Sequence, residues 1–310
     1  MIFFLIGCDA EVEDSGVEGV DYIDERMGPD DVDVLPDGGE QWYGPDVVIE
    51  GGQDVQYCTF GTYTGPDIAI TSFESFQASV GHHLIILGTT ASTIDYADGE
   101  TVDCTQTNQM MTSFEPLINA EPIDAGRSEI VLPEGMGVKL NEGQRWVVQA
   151  HYVNTTTDNV RVHDIMNIGF MPEEDVEIWA AAFALTQVNL SLPPAQESSV
   201  SFDCNFEEAY SLMYLTGHMH EYGTVFSFGY GETAETVEEL YTIPEWQAEY
   251  RDRPPLNHYE MGEFSFAANS TLRTNCTWFN DTDETIEFPD EMCATYGMLY
   301  PSLSPVVCSD

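Results

Sequence analysis

Short runs of apolar and β-branched residues alternate with polar turn sequences along most of this chain. Runs of this kind, bounded by glycine, proline, asparagine or aspartate, predict β-strands. No long segment carries apolar residues at the 3.6-residue spacing of an amphipathic helix. The runs that predict strands are DIAITSF, HHLIILG, RWVVQAHYVN, VRVHDIMNIGFM, VEIWAAAFAL, SSVSFDC and YSLMYLTGHMHEYGTVFSFGYG.

Many short strands at this spacing predict an all-β fold built from antiparallel sandwiches or jelly rolls. A polar break at MPEED, residues 171–175, predicts two consecutive β domains of similar size, at 49–173 and 174–310. The least strand-like part is 232–262, where we expect a long excursion with some helix. The two halves share no convincing sequence repeat.

The N-terminal segment, residues 1–8, is an apolar run that ends in LIGC. It is shorter than the about 18 apolar residues that a membrane-spanning helix needs. It resembles the end of a bacterial lipoprotein signal, with LIGC as the lipobox and Cys8 as the lipid-modified residue. The alternative is a frayed apolar terminus with an ordinary cysteine.

An acidic segment follows, for which we expect a disordered, solvated tether over residues 9–48. Between Asp9 and Glu50 there are 15 acidic residues and one basic residue, Arg26. Such a composition buries too little apolar surface to offset the chain entropy. An acidic arm that binds a partner is the alternative interpretation.

The whole chain is acidic as well, with 55 acidic residues against 8 basic ones and a formal net charge of -47. Nucleic acids and anionic membrane surfaces repel such a chain. We therefore exclude nucleic acid as a partner and expect membrane contact only through the lipid anchor.

Six cysteines remain beyond Cys8, and none belongs to a C-x-x-C pair. An even number in an exported chain implies disulfides, although the residues alone leave the pairing open. We therefore predict an exported protein, either periplasmic or a cell-surface lipoprotein. The six are Cys58, Cys104, Cys204, Cys276, Cys293 and Cys308.

Five of the seven histidines fall in three short motifs: GHH at His82 and His83, QAHY at His151, and GHMH at His218 and His220. In H-x-H on a strand both side chains point to one face, about 6 to 7 Å apart, a spacing that suits two ligands of one ion. Adjacent histidines point to opposite faces unless the backbone bends, which a preceding glycine allows. Each motif alone has an ordinary structural alternative, such as a hydrogen-bonded, half-buried histidine.

A methionine near the end of the chain adds a different kind of candidate ligand. Met292 lies between two acidic residues and Cys293, and by default it would fill a core. A thioether is a soft ligand, however, and together with two imidazoles it favours Cu(I) over zinc.

The ordered set HHLIIL, QAHY, GHMHEYG, and CTW followed by DEMCATYGMLYP resembles the copper type II, ascorbate-dependent monooxygenases. Peptidylglycine α-hydroxylating monooxygenase and dopamine β-monooxygenase belong to this family. The resemblance covers roughly residues 50–310. It implies two jelly-roll domains that each hold one copper ion, so two coppers per chain.

The resemblance also assigns the residues. His82, His83 and His151 would bind the electron-storing copper, and His218, His220 and Met292 the copper that receives dioxygen. Tyr296 matches a family tyrosine near the substrate, with a packed aromatic as the alternative. The cysteine pairs that the family implies are Cys58–Cys104, Cys204–Cys308 and Cys276–Cys293.

The activity implied is hydroxylation of an activated C–H bond of a small molecule with O2, driven by ascorbate or another one-electron donor. We expect a monomer. Two family positions differ: Thr216 stands where peptide-hydroxylating members carry an arginine that binds the substrate carboxylate, and Ala294 stands where the family has asparagine. The substrate is therefore not assigned.

Two other functions remain open from the sequence. A non-catalytic lipoprotein that stores or relays copper would keep the metal ligands without a substrate pocket. A zinc hydrolase with an all-histidine site would leave Met292 and the second histidine cluster unused.

Overall fold

A computed structural model describes residues 21–28, 31–89, 95–105, 114–119, 121–124, 126–251, 253–288 and 290–309. In these residues the chain forms β-strands joined by turns and three short 3₁₀ turns, with no α-helix. The predicted all-β fold is confirmed. The proposed lipobox with Cys8 and the first part of the expected tether lie outside the described residues.

The described residues of the first half of the chain form twelve strands. They are β1 (Ile23–Asp24), β2 (Glu40–Ile49), β3 (Asp54–Thr62), β4 (Ile68–Phe76), β5 (Gly81–Thr89), β6 (Thr101–Asp103), β7 (Glu115–Asn119), β8 (Glu121–Asp124), β9 (Arg127–Val131), β10 (Met136–Leu140), β11 (Arg145–Val153) and β12 (Val160–Pro172).

The second half also contains twelve strands among its described residues. They are β13 (Ile178–Gln187), β14 (Ser191–Leu192), β15 (Gln196–Phe206), β16 (Tyr210–His218), β17 (Gly223–Gly231), β18 (Glu238–Ile243), β19 (Asn257–His258), β20 (Ser265–Phe266), β21 (Ser270–Asn280), β22 (Ile286–Glu287), β23 (Cys293–Tyr300) and β24 (Val306–Ser309).

Two sheets carry the candidate ligands. A five-stranded sheet in the order β6-β3-β11-β5-β7 holds the first histidine motifs on the neighbouring strands β5 and β11. A 13-stranded sheet has eight strands in the order β1-β12-β4-β10-β13-β23-β16-β19, with β16 and β23 side by side. The remaining five, β2, β8, β9, β20 and β24, pair with strands of this sheet outside that order. A four-stranded sheet, β15-β21-β17-β18, is formed by strands of the second half of the chain.

Alternating burial along the strands builds the hydrophobic cores. In β15 the side chains of Phe202, Cys204 and Phe206 are buried while their neighbours are exposed. These three belong to a core formed by residues of the second half. A larger core is centred on the first half and includes Phe73 and Tyr152, which are fully buried.

The prediction of a disordered tether is wrong for its last nine residues, because strand β2 begins at Glu40. This strand pairs antiparallel with β12, and Trp42 is buried and stacks on Trp146 with ring centroids 4.6 Å apart. Farther upstream, Ile23 and Asp24 pair with the start of β12. The high acid content concealed a run of apolar residues long enough to form a buried strand.

The predicted domain boundary falls on a 3₁₀ turn, Glu173–Asp175, between β12 and β13. Sheet hydrogen bonding nevertheless crosses it, because β10 pairs in parallel with β13 through Met136–Val138 and Ile178–Ala180. The division into two domains therefore stays a prediction. The predicted excursion at 232–262 contains β18, β19 and two 3₁₀ turns, Ala234–Thr236 and Ala248–Arg251.

Three disulfides form with the pairing that the resemblance implies: Cys58–Cys104, Cys204–Cys308 and Cys276–Cys293. Disulfides are typical of chains that fold in an oxidising, exported environment. None of the described segments is a helix with the length and apolarity needed to cross a bilayer.

Candidate metal centres

Three histidine side chains converge at one end of the five-stranded sheet. The ring centroids of His82, His83 and His151 lie 5.7, 5.0 and 4.9 Å apart in pairs. One nitrogen from each ring lies within 4.8 Å of the others, close enough for a single ion to reach all three. We call these three residues the first cluster.

A β-bulge brings adjacent histidines to one site. His151 pairs with His83 across β11 and β5, while Tyr152 pairs with Gly81, so His82 is the extra residue on β5. A bulge bends its strand and redirects the side chain of the extra residue. The bend that the sequence motif requires is therefore present.

Two glycines permit close backbone approach beside the histidines. A Cβ atom on Gly81 would lie 2.3 Å from the Cβ of Gln77, so a side chain at this position would clash. A Cβ atom on Gly217 would lie 2.4 Å from the ring of Phe226. Each glycine directly precedes a candidate ligand, His82 or His218, and so fixes where that ligand can lie.

The environment of the first cluster favours the neutral form of His82 and His83 and orients the ring of His151. Burial lowers the pKa of His82 to about 4 and places the pKa of His83 well below its usual range. Asp54 Oδ1 lies 2.6 Å from Nε2 of His151, which leaves the other ring nitrogen to face the cluster. Nδ1 of His83 is buried and has no hydrogen-bond partner among the described residues. The neutral form of imidazole is the one that binds a metal ion.

The second group, which we call the second cluster, consists of His218, His220 and Met292. His218 ends β16 and pairs with Ala294 on β23. His220 lies two residues beyond the end of β16 and Met292 one residue before the start of β23, so both lie outside the paired register. The rings of His218 and His220 lie 5.1 Å apart at an interplanar angle of 82°, and Met292 is buried.

A buried carboxylate, Glu291, holds the backbone of this second cluster. It accepts hydrogen bonds from the main-chain N–H groups of His220 (2.9 Å), Tyr222 (2.9 Å) and Met292 (3.2 Å) and from Nε1 of Trp278 (2.9 Å). Burial raises the pKa of Glu291 to about 7, and the four donors act in the opposite direction. One side chain thus fixes two of the three candidate ligands.

Hydrogen bonds to main-chain carbonyls orient both rings of the second cluster. Nδ1 of His220 lies 2.9 Å from the carbonyl oxygen of Asp290, so it carries the proton and leaves Nε2 available. A ring nitrogen of His218 donates to the carbonyl of Arg251. Burial lowers the pKa of both histidines, and the two rings are neutral ligands for the same reason as in the first cluster.

The neighbours of His218 and His220 divide into core and site residues. Met219 is fully buried in the second core, as its position between two ligands on the opposite face predicts. Tyr296 lies beside His218, with ring centroids 5.8 Å apart, and burial raises the pKa of its hydroxyl. Thr216 is buried, and its hydroxyl donates to the carbonyl of Pro255 at 2.9 Å.

The donor sets fit copper in different degrees. Imidazole is a ligand for copper, zinc, iron and nickel, so the first cluster does not select one metal. The thioether of Met292 adds a soft donor to the second cluster, and soft donors favour Cu(I). The second cluster therefore carries the preference for copper.

Two residues that orient candidate ligands were not identified from the sequence. Asp54 begins β3, and only the register of β3 with β11 brings it near His151. Glu291 stands directly before Met292, so its position in the motif was visible. The direction of its carboxylate, toward Trp278 and the backbone of His220, depends on the folded arrangement.

No protein-family model matches the chain, and no curated protein matches it either. Among solved structures, PNGase F, a glycosylasparaginase from Flavobacterium meningosepticum, is similar at 8% identity with a TM-score of 0.35, covering 87% of this chain and 98% of its own. The cowpea mosaic virus top component is similar at 7% identity with a TM-score of 0.31, covering 87% and 91%. At TM-scores this low, the similarities carry no argument about this chain.

Proposed function

We propose that the protein is a copper-dependent monooxygenase that hydroxylates an activated C–H bond of a small molecule with O2, using ascorbate or another one-electron donor. The observation that carries the proposal is the convergence of His82, His83 and His151 at a bulge. In the second cluster, the carboxylate of Glu291 links the main chain of His220 to that of the buried Met292. The two clusters together contain five of the seven histidines, more than a chance distribution along the chain would place there.

In this proposal the chain holds two copper ions, and each cluster has a separate task. Copper supplies one-electron chemistry and a binding position for O2. His82, His83 and His151 hold the ion of the first cluster, with Asp54 fixing the ring of His151. Burial lowers the pKa of His82 and His83, so at these two ligands metal binding does not compete with a proton near neutral pH.

The second cluster is where substrate and O2 would meet. His218, His220 and Met292 provide two nitrogen donors and one weak, soft sulfur donor, a set that leaves a coordination position open. Tyr296 holds its phenolic proton because burial raises its pKa, and it stands next to His218 as a hydrogen-bond donor at Oη. We assign it a role in orienting the substrate.

The same region limits the substrate class. Because the hydroxyl of Thr216 is buried and bonded to Pro255, this position offers no cation for a peptide carboxylate. We therefore propose a small molecule with a benzylic or similarly activated C–H bond, and not a glycine-extended peptide.

Oxygen uptake tests the proposal. The copper-loaded protein is reduced with ascorbate, and O2 consumption is followed against a panel of benzylic and peptide substrates. Substrate-dependent uptake with a hydroxylated product is expected from at least one benzylic compound and from none of the peptides. Uptake that no substrate accelerates, with both coppers bound, contradicts the proposal.

That negative result would favour the second candidate, a non-catalytic copper-binding lipoprotein. The observation in its favour is that two positions at the second cluster offer no group for a substrate: the hydroxyl of Thr216 is bonded to a main-chain carbonyl, and Ala294 stands opposite His218. Such a protein would bind both coppers and cycle them with ascorbate but would have no substrate.

We further propose that the protein is exported, acts as a monomer and is held at a membrane surface through lipid on Cys8. The three disulfides support export. Mass spectrometry of the N-terminal peptide tests the anchor. The expected result is a diacylglyceryl modification on Cys8, and an unmodified cysteine that remains in the mature protein contradicts it.

A further inference from the structure

Arg251 lies between the two clusters. It ends the 3₁₀ turn Ala248–Arg251 in the long connection between β18 and β19. Its guanidinium contacts two carboxylates from distant parts of the chain: Nη1 lies 2.5 Å from Oε1 of Glu221, and Nη2 lies 3.7 Å from Oδ2 of Asp54. One side chain therefore joins the second half of the sequence to the first.

Both carboxylates belong to the surroundings of a cluster. Asp54 uses its other oxygen, Oδ1, to hold Nε2 of His151 at 2.6 Å. Glu221 directly follows His220. The main-chain carbonyl of Arg251 in turn accepts a hydrogen bond from His218. A continuous chain of polar contacts thus runs from His151 through Asp54 and Arg251 to the second cluster.

We propose that Arg251 is a positioning residue that couples the two clusters, so that a change at the carboxylate of one is transmitted to the histidines of the other. The guanidinium suits this task because its planar fork can hold two carboxylates at once, whereas an ammonium group is a point charge. The inference rests on the proposed function only in treating the clusters as metal sites, since the contacts themselves involve no metal.

The competing interpretation is a pair of half-exposed surface ion pairs without consequence. Exposed pairs of this kind often contribute nothing measurable to stability. Stability alone therefore does not distinguish the two interpretations, and the test has to measure transmission from one cluster to the other.

The experiment is a double-mutant cycle read by NMR of the imidazole ¹⁵N and ¹H signals in the metal-free protein. The first arm introduces Asp54→Asn alone and records the signals of His218 and His220. The second arm introduces Asp54→Asn together with Arg251→Gln, compared with Arg251→Gln alone. The cycle is repeated with Arg253→Gln, a matched change of an exposed arginine two residues away, for which the described residues show no ion pair with Asp54 or Glu221.

In the wild-type background and in the Arg253→Gln background, Asp54→Asn is expected to shift the signals of His218. In the Arg251→Gln background, Asp54→Asn is expected to leave these signals unchanged. Equal movement in every background, or none in any, overturns the proposal. If Arg251→Gln does not fold, Arg251→Lys replaces it and should transmit less than half of the wild-type shift. An undiminished shift with lysine also overturns it.

The metal-free readout separates this inference from the proposed function. A chain that binds no copper would refute the monooxygenase, yet the cycle would still report whether Arg251 couples the histidines. Conversely, two bound coppers with no transmitted shift would leave the monooxygenase standing and remove the coupling.

Discussion

The two clusters are built in different ways, although both collect three soft or borderline ligands. The first uses only the five-stranded sheet: a bulge on β5 and its partner β11 bring three rings together through strand register. The second joins the end of β16 to the segment before β23, and a buried carboxylate ties the two. Register is sufficient where all ligands lie on paired strands, but ligands beyond the strand ends need a separate anchor.

Each cluster also has a buried carboxylate nearby, and the two carboxylates differ in whether they bond to candidate ligands. Asp164 is fully buried near the first cluster and accepts bonds from Tyr152 (2.6 Å) and Gln77 (3.1 Å), neither of which is a ligand. Glu291 bonds directly to the backbone of two candidate ligands. Loss of Glu291 should therefore damage its cluster more than loss of Asp164 damages the first.

The largest expected effect separates the tasks of the clusters. Met292→Ile removes the sulfur donor and keeps a buried apolar side chain of similar size, so hydroxylation should fall to background while the first cluster keeps its copper. Product formation and copper content per chain measure the two outcomes. Met298→Ile, which changes a fully buried methionine on β23, is the matched control and should stay active. Full activity of Met292→Ile would refute the ligand assignment.

Glu291→Gln tests the anchor of the second cluster. The amide cannot accept all four hydrogen bonds, so buried donors lose their partners and the free energy of unfolding should fall by about 2–4 kcal/mol. Copper content should drop by the ion of the second cluster only. Chemical denaturation and metal analysis give both numbers. Glu287→Gln, at an exposed neighbouring site, should change neither; a silent Glu291→Gln would show that the carboxylate is not an anchor.

Gly81→Ala tests the bulge that builds the first cluster. Its added Cβ meets Gln77 at 2.3 Å, so the strand must shift, at a cost of about 1–3 kcal/mol in the free energy of unfolding. Copper affinity of the first cluster should fall while that of the second is unchanged. Gly88→Ala, on the same strand, serves as the control, because its added Cβ would be too close only to the flexible end of Gln144, at 2.7 Å, and would be in ordinary contact with Leu117, at 3.6 Å. Equal copper affinity in both variants would argue against the bulge as the determinant.

The last prediction concerns the pH dependence of stability. Burial raises the pKa of Asp164 from 3.8 to about 7, so the folded chain binds this proton more tightly than the unfolded chain. This group therefore makes the free energy of unfolding fall as pH rises from about 4 to about 7, with no further change above that range. Asp164→Asn should lack this slope. Denaturation of both proteins across the window measures the difference, and a difference independent of pH would contradict the assignment.

The sequence predicted the strands and the histidine motifs because both depend on local spacing. GHH with a preceding glycine indicated a bend, and the structure contains a bulge there. The strand β2 was missed because acidic residues surround Trp42 and Ile49, and overall composition outweighed a short apolar pattern. The disulfide pairs followed from the family resemblance, since six cysteines alone do not fix them.

Asp54, Arg251 and Glu291 were beyond local reasoning for a different reason. Each acts through a partner far away in the sequence, such as His151 for Asp54 or Trp278 and His220 for Glu291. Only the register of the sheets and the path of the connection between β18 and β19 place them. Arg251 lies in the segment with the weakest strand pattern, where spacing carries no information about direction.

The measurement that tests the central claim most directly is metal content combined with a redox cycle on the purified chain. The account predicts two coppers per chain, whose Cu(II) EPR signals disappear on addition of ascorbate and return with oxygen. Met292→Ile should lose or alter one of the two signals and leave the other. Tightly bound zinc without copper, or a single copper that ascorbate does not reduce, would contradict the account.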